Sequence, residues 1–425
     1  MQTLGIDLST DPKKVWTCEI DWSESPPKVI SLEQLSQVRD PLLPPGAGEE
    51  IEVTRGSGPP VMSRVVRNGR PLPGIRTEAS LIAELVERIT AFAPSAERVV
   101  GLGAPLGWPV PFVEAISDWD EGDLQGFRKR PDLRLRTTDR FLQLVARVTP
   151  MSVSTDRTGS TAMLLAEVLS RSARRLDRPA FDRCGATDGI AEVNPAAALR
   201  AWADVAGEPI AFGSYKGWRV PRETIVLKFV QAGLEITPRQ GEAMCESSDA
   251  LDAFVCALVA RAVALEQTIT PSGTIDADEL VPRPSGGADS VEAFTQRLDA
   301  ARALQVEAVR TGASEGWIHV PRRGPLSTAL DTTPGSATWE PPQSWDPAWE
   351  DPTLTPPDWA YENGFDDEGD EFGAPPLSPA DRIALETLQA RARDAGWARA
   401  TAMARGAGVG PAPAFDDDLF SVSVP

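Results

Sequence analysis

The sequence predicts a mixed α/β fold carried by residues 1–330, followed by an acidic extension. Three observations point there. Short apolar strands open the chain and then alternate with segments whose apolar residues recur three and four apart, the order expected of strands interleaved with helices. A hydrophobic fraction of 41% over 425 residues suits a globular chain long enough to bury a large core. The net charge of −20 is concentrated at one end: residues 331–425 carry 18 acids and 5 bases, against 44 and 37 in residues 1–330.

Residues 2–9 and 14–22 ("KVWTCEIDW") read as two strands joined by a turn at Asp11-Pro12. Residues 25–75 are rich in Pro, Gly and charge, which predicts one further strand near "EIEVTR" and otherwise loop. "TEASLIAELVERITAF" (77–92) has helical apolar spacing, with Thr77 placed as N-cap. "RVVGLGAPLGWP" (98–109) reads as a buried strand ending in a Gly/Pro-rich loop, and residues 110–180 as mostly helical. "DGIAEVNPAAALRAWA" (188–203) predicts strand, sharp turn, helix; a further helix is expected over 221–236. "SSDALDAFVCALVARAVAL" (247–265) is a strongly apolar helix, and a helix near 288–311 leads to a short closing strand in "EGWIHVP" (315–321).

Beyond residue 330 the composition changes. Residues 331–377, dense in Pro, Trp and acid, predict a disordered linker; 378–406 an isolated helix with Ser378 as its cap; 407–425 an acidic tail. The closing "FDDDLFSVSVP" is ordinarily a solvated tail. Its embedded Leu-Phe also makes it a candidate docking motif for a partner protein, similar to the acidic tips of single-stranded-DNA-binding proteins.

Composition narrows the chemistry. The N-terminus has no basic region leading into an apolar core, so no signal peptide is expected, and no apolar run is long enough to span a bilayer. The four cysteines (Cys18, Cys184, Cys245, Cys256) are scattered without a CxxC pair, which fits a reducing cytoplasm better than a disulfide framework or zinc ribbon. A single histidine, His319, excludes mechanisms that need two, including most catalytic zinc sites. A lone histidine beside a strand and aromatics reads as packed and structural. Carboxylates are left to carry any catalysis.

Three places hold carboxylates where apolar residues would be expected. Asp7 lies in the first strand, within "LGIDLST". Asp249 and Asp252 are three apart on an apolar helix and so share a face. Glu192 stands near a strand end just before a Pro-initiated helix. A buried carboxylate costs several kcal/mol, ~3 or more, unless paired, hydrogen-bonded or bound to a cation. Structural roles account for part of this: Asp249 as a helix-terminus acid, Asp252 paired to an arginine, Glu192 held by a helix N-terminus, Asp7 as a turn former. The functional reading gathers Asp7, Asp249 and Asp252 into one cluster whose hard oxygen ligands suit Mg²⁺ or Mn²⁺.

Seven short motifs, in order, resemble the Domain of Unknown Function 429 family, usually described as predicted nucleases of the RNase H-like fold. They are "GIDLS", "GAPLGWP", "RTTDR", "EVNPAAALRAW", "YKGW", "SSDALDAFVCALVARA" and "EGWIHVP", spread over residues 5–321. The resemblance implies an RNase H-like mixed five-stranded sheet flanked by helices, with Asp7 as the first-strand acid and Asp249 and Asp252 as the late-helix acids. The DxxD spacing also looks like the last catalytic helix of Holliday-junction resolvases. Arg136, Asp139, Tyr215 and Lys216 fall in the family's motifs; they would contact a phosphate or tune the acids, or, for Arg136 and Asp139, form a structural pair. One departure stands out. The family's acid before "APLG" is Gly103 here, which leaves Glu192 or Asp139 to substitute for it.

The reading that follows is a divalent-metal-dependent nuclease, with catalytic Asp7, Asp249, Asp252 and Glu192, metal ligands Asp7, Asp249 and Asp252, Mg²⁺ or Mn²⁺ as cofactor and nucleic acid as partner. The alternative is a catalytically impaired RNase H-like binding or scaffold module, which Gly103 favours. A sugar-kinase-like or actin-like ATPase, suggested by "GIDLST", ranks below both because GxGxxG and Walker signatures are missing.

Overall fold

The computed structural model describes residues 1–37, 49–54, 62–67, 70–71, 77–117, 130–155, 158–185, 188–204, 206–211, 215–282 and 290–333. These all belong to the first of two units, Met1–Trp345 and Asp346–Pro425. The helix expected over 378–406, the tail 407–425 and all but the first three residues of the linker 331–377 lie outside the described residues.

β1 (Gln2–Asp7) and β2 (Trp16–Asp21) form an antiparallel pair, joined through a short 3-10 turn over Pro12–Lys14. Asp11 caps that turn by accepting from the Lys13 amide. β3 (Lys28–Gln34) continues the sheet where the sequence predicts loop. Its strand signal is lost because Val29 and Ile30 are adjacent rather than alternating, and the register slips opposite Glu19/Ile20. The strand expected in "EIEVTR" is β4 (Glu49–Thr54); it pairs with β5 (Met62–Arg67), which pairs with β6 (Arg70–Pro71), in a separate three-stranded sheet.

α1 (Glu78–Phe92) starts at Thr77, whose hydroxyl accepts from the Ser80 amide while the Ser80 hydroxyl accepts from the Thr77 amide. Such caps are worth about 1 kcal/mol. Leu81, Leu85 and Ile89 form its buried stripe. β7 (Arg98–Leu102) follows, then α2 (Val110–Ser117), α3 (Arg130–Arg134), α4 (Thr137–Ala146) and α5 (Thr158–Arg175). β8 (Ile190–Glu192) leads through Asn194, which caps α6 (Pro195–Ala201) by accepting from the Ala197 amide. After β9 (Trp202–Ala203) the helix expected over 221–236 is α7 (Arg219–Gln231), which ends short of the expected bound, and a helix the sequence reading did not predict, α8 (Pro238–Glu246), follows it. Gly233, at φ +93°, turns the chain out of α7, and Pro238 opens the next helix. α9 (Ser248–Ala264), β10 (Thr268–Ile269), α10 (Val291–Glu315), β11 (Val320–Pro321), β12 (Gly324–Pro325) and α11 (Leu326–Leu330) complete the described chain. The closing strand in "EGWIHVP" is shorter than expected. Glu315 ends α10, Gly316 turns out of it at φ +84°, Ile318 forms an isolated parallel bridge to Glu192, and Val320–Pro321 pairs with β10.

The main sheet has the order β3-β2-β1-β7-β8, antiparallel over β3-β2-β1 and parallel over β1-β7-β8. It is a five-stranded mixed sheet with helices on both faces, an α/β fold. Alternation along β1 divides its side chains between two cores. Leu4 and Ile6 join Leu81, Leu85, Val100, Leu102 and Leu165 on the α1/α5 face. Gly5 faces α9, beside the core that holds Cys18, Ile20, Phe229 and Phe254. Among the described residues no helix is long and apolar enough to cross a membrane, and all four cysteines are unbridged.

Candidate functional site

The packing of α9 on the sheet brings the acids together. A Cβ on Gly5 would lie 2.0 Å from the Ala253 carbonyl oxygen and 2.4 Å from the Ala257 nitrogen; one on Gly101 would lie 2.1 Å from the Cys256 carbonyl oxygen. Gly5 and Gly101 pair across β1 and β7, so the helix backbone rests directly on a flat patch of two strands. Asp7 is two residues past Gly5 on the same face, and Asp252 precedes Ala253 on the helix. Bringing the two backbones into contact therefore brings the two carboxylates into each other's field.

Asp252 is buried and gripped on both oxygens. The Tyr215 hydroxyl donates to Oδ1 at 2.5 Å, and the Lys216 ammonium lies 3.4 Å from Oδ2. The structural alternative for Asp252 expected an arginine here; consecutive residues of "YKGW" take its place. Asp249 lies in the first turn of α9, where Ser247 caps the helix by accepting from the Ala250 amide, and it is half-buried. Burial, then repulsion from Asp252, push the Asp7 carboxyl well above the ordinary carboxylate range, with Lys216 pulling the other way. Asp249 is raised by the same two causes in the same order, against Lys216 and Lys14. Asp252, and behind it Asp7 and Asp249, hold the Lys216 ammonium above its ordinary value. Burial and Asp252 push the Tyr215 phenol up, so it remains a donor.

Gly103 borders this cluster. A Cβ there would stand 2.8 Å from Asp7 Oδ1 and 3.3 Å from the Cys256 sulfur. The position that the family fills with an acid is thus beside Asp7, and its side chain is missing.

The structure places Glu192 and Asp139 elsewhere. Ile6, Leu102 and Glu192 are in register across β1, β7 and β8, on the face away from α9. There the buried Arg136 guanidinium donates to Glu192 at 2.6 and 2.8 Å and to Asp139 at 2.9 and 3.0 Å, and to the Glu315 carbonyl at 3.0 Å. Glu192 also accepts from the Leu106 amide at 2.8 Å. Burial works to lower Arg136, but Asp139 and Glu192 outweigh it and raise it. Arg136 and Asp139 form the structural pair, and neither they nor Glu192 reach the Asp7 group.

Sequence reasoning passed over two residues. Glu315 is buried and accepts from the Val110 and Thr137 amides at 2.8 and 2.7 Å. Its signal was an acid at a helix C-terminus, where the helix dipole disfavours one. Cys256 abuts the place of Gly103, and nothing in its apolar neighbourhood along the chain marks it. His319 is buried, with Nδ1 3.0 Å from the Thr268 hydroxyl and Nε2 2.7 Å from the Cys184 carbonyl, which assigns the ring proton to Nε2.

The acid cluster suits a hard divalent cation in its donor chemistry, since it offers carboxylate oxygens whose mutual repulsion is not fully offset. It is not laid out as a metal cage: among the described residues no group of three or more His, Cys, Asp or Glu side chains is arranged to hold an ion.

A mixed five-stranded sheet with an acid cluster at the carboxyl end of its first strand defines an α/β protein with one polar strand–helix site and one buried ion network. Residues 73–275 match the family described as "Protein of unknown function (DUF429)", the family that the motifs resemble. The span takes in Gly103, Arg136, Asp139, Glu192, Tyr215, Lys216, Asp249 and Asp252; β1, with Asp7, precedes it. No curated protein and no solved structure matches the chain.

Proposed function

We propose that this chain is an RNase H-like, divalent-cation-dependent phosphodiester hydrolase acting on nucleic acid. The observation that carries the reading is the meeting of a first-strand acid with two late-helix acids. Asp7 and Asp249 are both raised by burial and by Asp252, an arrangement that destabilises the empty site and that a cation would relieve. Asp7, Asp249 and Asp252 would hold Mg²⁺ or Mn²⁺. When bound, such an ion supplies Lewis acidity and a more acidic water. Tyr215 fixes Asp252 by donating to one oxygen, and Lys216, with its side chain 64% exposed, carries a positive charge at the solvent edge where a phosphate would approach. No imidazole base is required, and both His319 ring nitrogens are already engaged.

A second reading has its own observation. Gly103 leaves the site without a side chain beside Asp7. This favours a binding or scaffold module in which Tyr215 and Lys216 satisfy Asp252 permanently. Cleavage assays with single- and double-stranded DNA and RNA in Mg²⁺ and Mn²⁺ separate the two. The hydrolase reading expects metal-dependent cleavage that is abolished by Asp7→Asn and by Asp252→Asn, both still folded by circular dichroism. Cleavage unchanged in both variants would rule the assignment out.

A further inference from the structure

Tryptophan carries a large apolar surface, and the described tryptophans cover it with one exception. Trp22, Trp202 and Trp317 are buried and Trp16 and Trp108 partly so, whereas Trp218 is 52% exposed. A single exposed apolar side chain needs no explanation by itself; the surroundings of this one give it meaning. Trp218 closes the turn that begins at Tyr215, its amide donating to the Tyr215 carbonyl at 3.5 Å, and it stands at the start of α7. Tyr215 is buried and bonded to Asp252, which holds the turn at its base. A Cβ on Gly217 would meet nothing within 4 Å, so the tip of the turn faces open space. Lys216 has its side chain 64% exposed and its ammonium 3.4 Å from Asp252 Oδ2. An indole and an ammonium therefore rise from Cα atoms at most about 7 Å apart, with a bare glycine between them.

Resting on the nucleic-acid part of the reading above and on none of its metal chemistry, we infer that Lys216, Gly217 and Trp218 form a platform for single-stranded nucleic acid, with an unpaired base stacked on Trp218 and the adjoining phosphate met by Lys216. A base offers a broad face that an indole can cover. Inside a duplex both faces are already covered by neighbouring bases, so only a single strand can use the platform. Gly217 leaves the space between the two side chains clear for a sugar. A protein partner could cover the indole but would have to desolvate the ammonium beside it; a polynucleotide uses both. The chain is acidic overall, and Asp249 lies near, so broad attraction for a polyanion is weak. Affinity then rests on stacking, and Lys216 with the exposed Lys14 supplies only a local positive rim.

The test is fluorescence anisotropy of labelled DNA and RNA oligonucleotides, single- and double-stranded, with the full chain in EDTA so that no strand is cut, and circular dichroism to check folding. Single strands are expected to bind about tenfold or more tightly than duplex. Trp218→Ala should weaken single-strand binding about 5- to 100-fold, the range for one lost stacked base, while Trp218→Phe keeps most of the affinity. Lys216→Gln should reduce the slope of log Kd against log salt by about 0.7, the share of one phosphate on a single strand. Met163→Ala, exposed on α5, should bind as wild type does. Trp218→Ala matching a wild type that binds single strands would overturn the platform and leave the nucleic-acid reading standing, and so would equal affinity for duplex. Trp218→Ala that keeps oligonucleotide affinity but breaks up a dimer in sedimentation would overturn it in favour of a contact between copies. Absence of binding to every oligonucleotide would overturn the platform and the nucleic-acid reading together.

Discussion

The acids around Arg136 and those around Asp7 lie on one sheet, and they are built on opposite terms. Around Arg136, each oxygen of Asp139 and Glu192 receives a guanidinium or amide donor, and both oxygens of Glu315 receive amides. That group ties the starts of α2 and α4, the end of β8 and the end of α10 into one joint. Around Asp7, the acids repel one another, and the cation beside them reaches in from solvent. A carboxylate saturated with fixed donors is framework; carboxylates left in excess are where a ligand can do work.

Mutations should bring out that contrast, beginning with the largest effect. Arg136→Met strands two buried carboxylates and should cost about 3–5 kcal/mol in denaturant unfolding. A loss under ~1 kcal/mol would mean that the joint is wet and the contrast false. Acid should act on the framework side. Burial pushes His319 down to about 4, against the Cys184 carbonyl. The unfolded chain then binds the proton more readily, so stability present above the ordinary value near 6.5 is lost as pH falls from there to about 4, by about 3 kcal/mol. His319→Gln should flatten that slope in a pH series of melts.

Gly5→Ala tests the seat of α9. The added methyl meets helix backbone rather than a side-chain tip, so about 1–3 kcal/mol of stability should go, together with metal affinity. Asp7→Asn should do the reverse in metal-free buffer. Because the folded Asp7 carboxyl is raised, its favourable contribution is complete only below the unfolded pKa and is lost as pH rises through the folded one. Removing the charge should therefore stabilise the neutral-pH protein. Added Mn²⁺ should raise the melting temperature of wild type and leave the variant unmoved.

What could be read from the chain, and what could not, follows the same division. Acids at odds with their apolar neighbours mark Asp7, Asp249 and Asp252 in the sequence itself, because burying charge is costly enough to be conspicuous. Glu192 was conspicuous for the same reason, but strand alternation turns it to the other face, and only the register of β1, β7 and β8 reveals that. The start of α1 was legible from its cap at Thr77, and α6 and α9 from a Pro-initiated turn and a long apolar run. β3 was not, since a bulged edge strand with adjacent apolar residues loses the period that announces a strand. The resemblance put Tyr215 and Lys216 beside the acids, but that both grip Asp252 could not be read, because the contact spans 37 residues and depends on where α7 and α9 set their starts.

The contact between α9 and the paired glycines bears on how the site endures. A spacing set by side chains wedged between elements shifts slightly with each change in the core. Here the reference surface is main chain against main chain, with no rotamer in between. Substitutions among the surrounding Leu, Val and Phe residues should then leave the gap between Asp7 and Asp252 unchanged. The same contact leaves Gly5 and Gly101 almost no tolerance for a side chain.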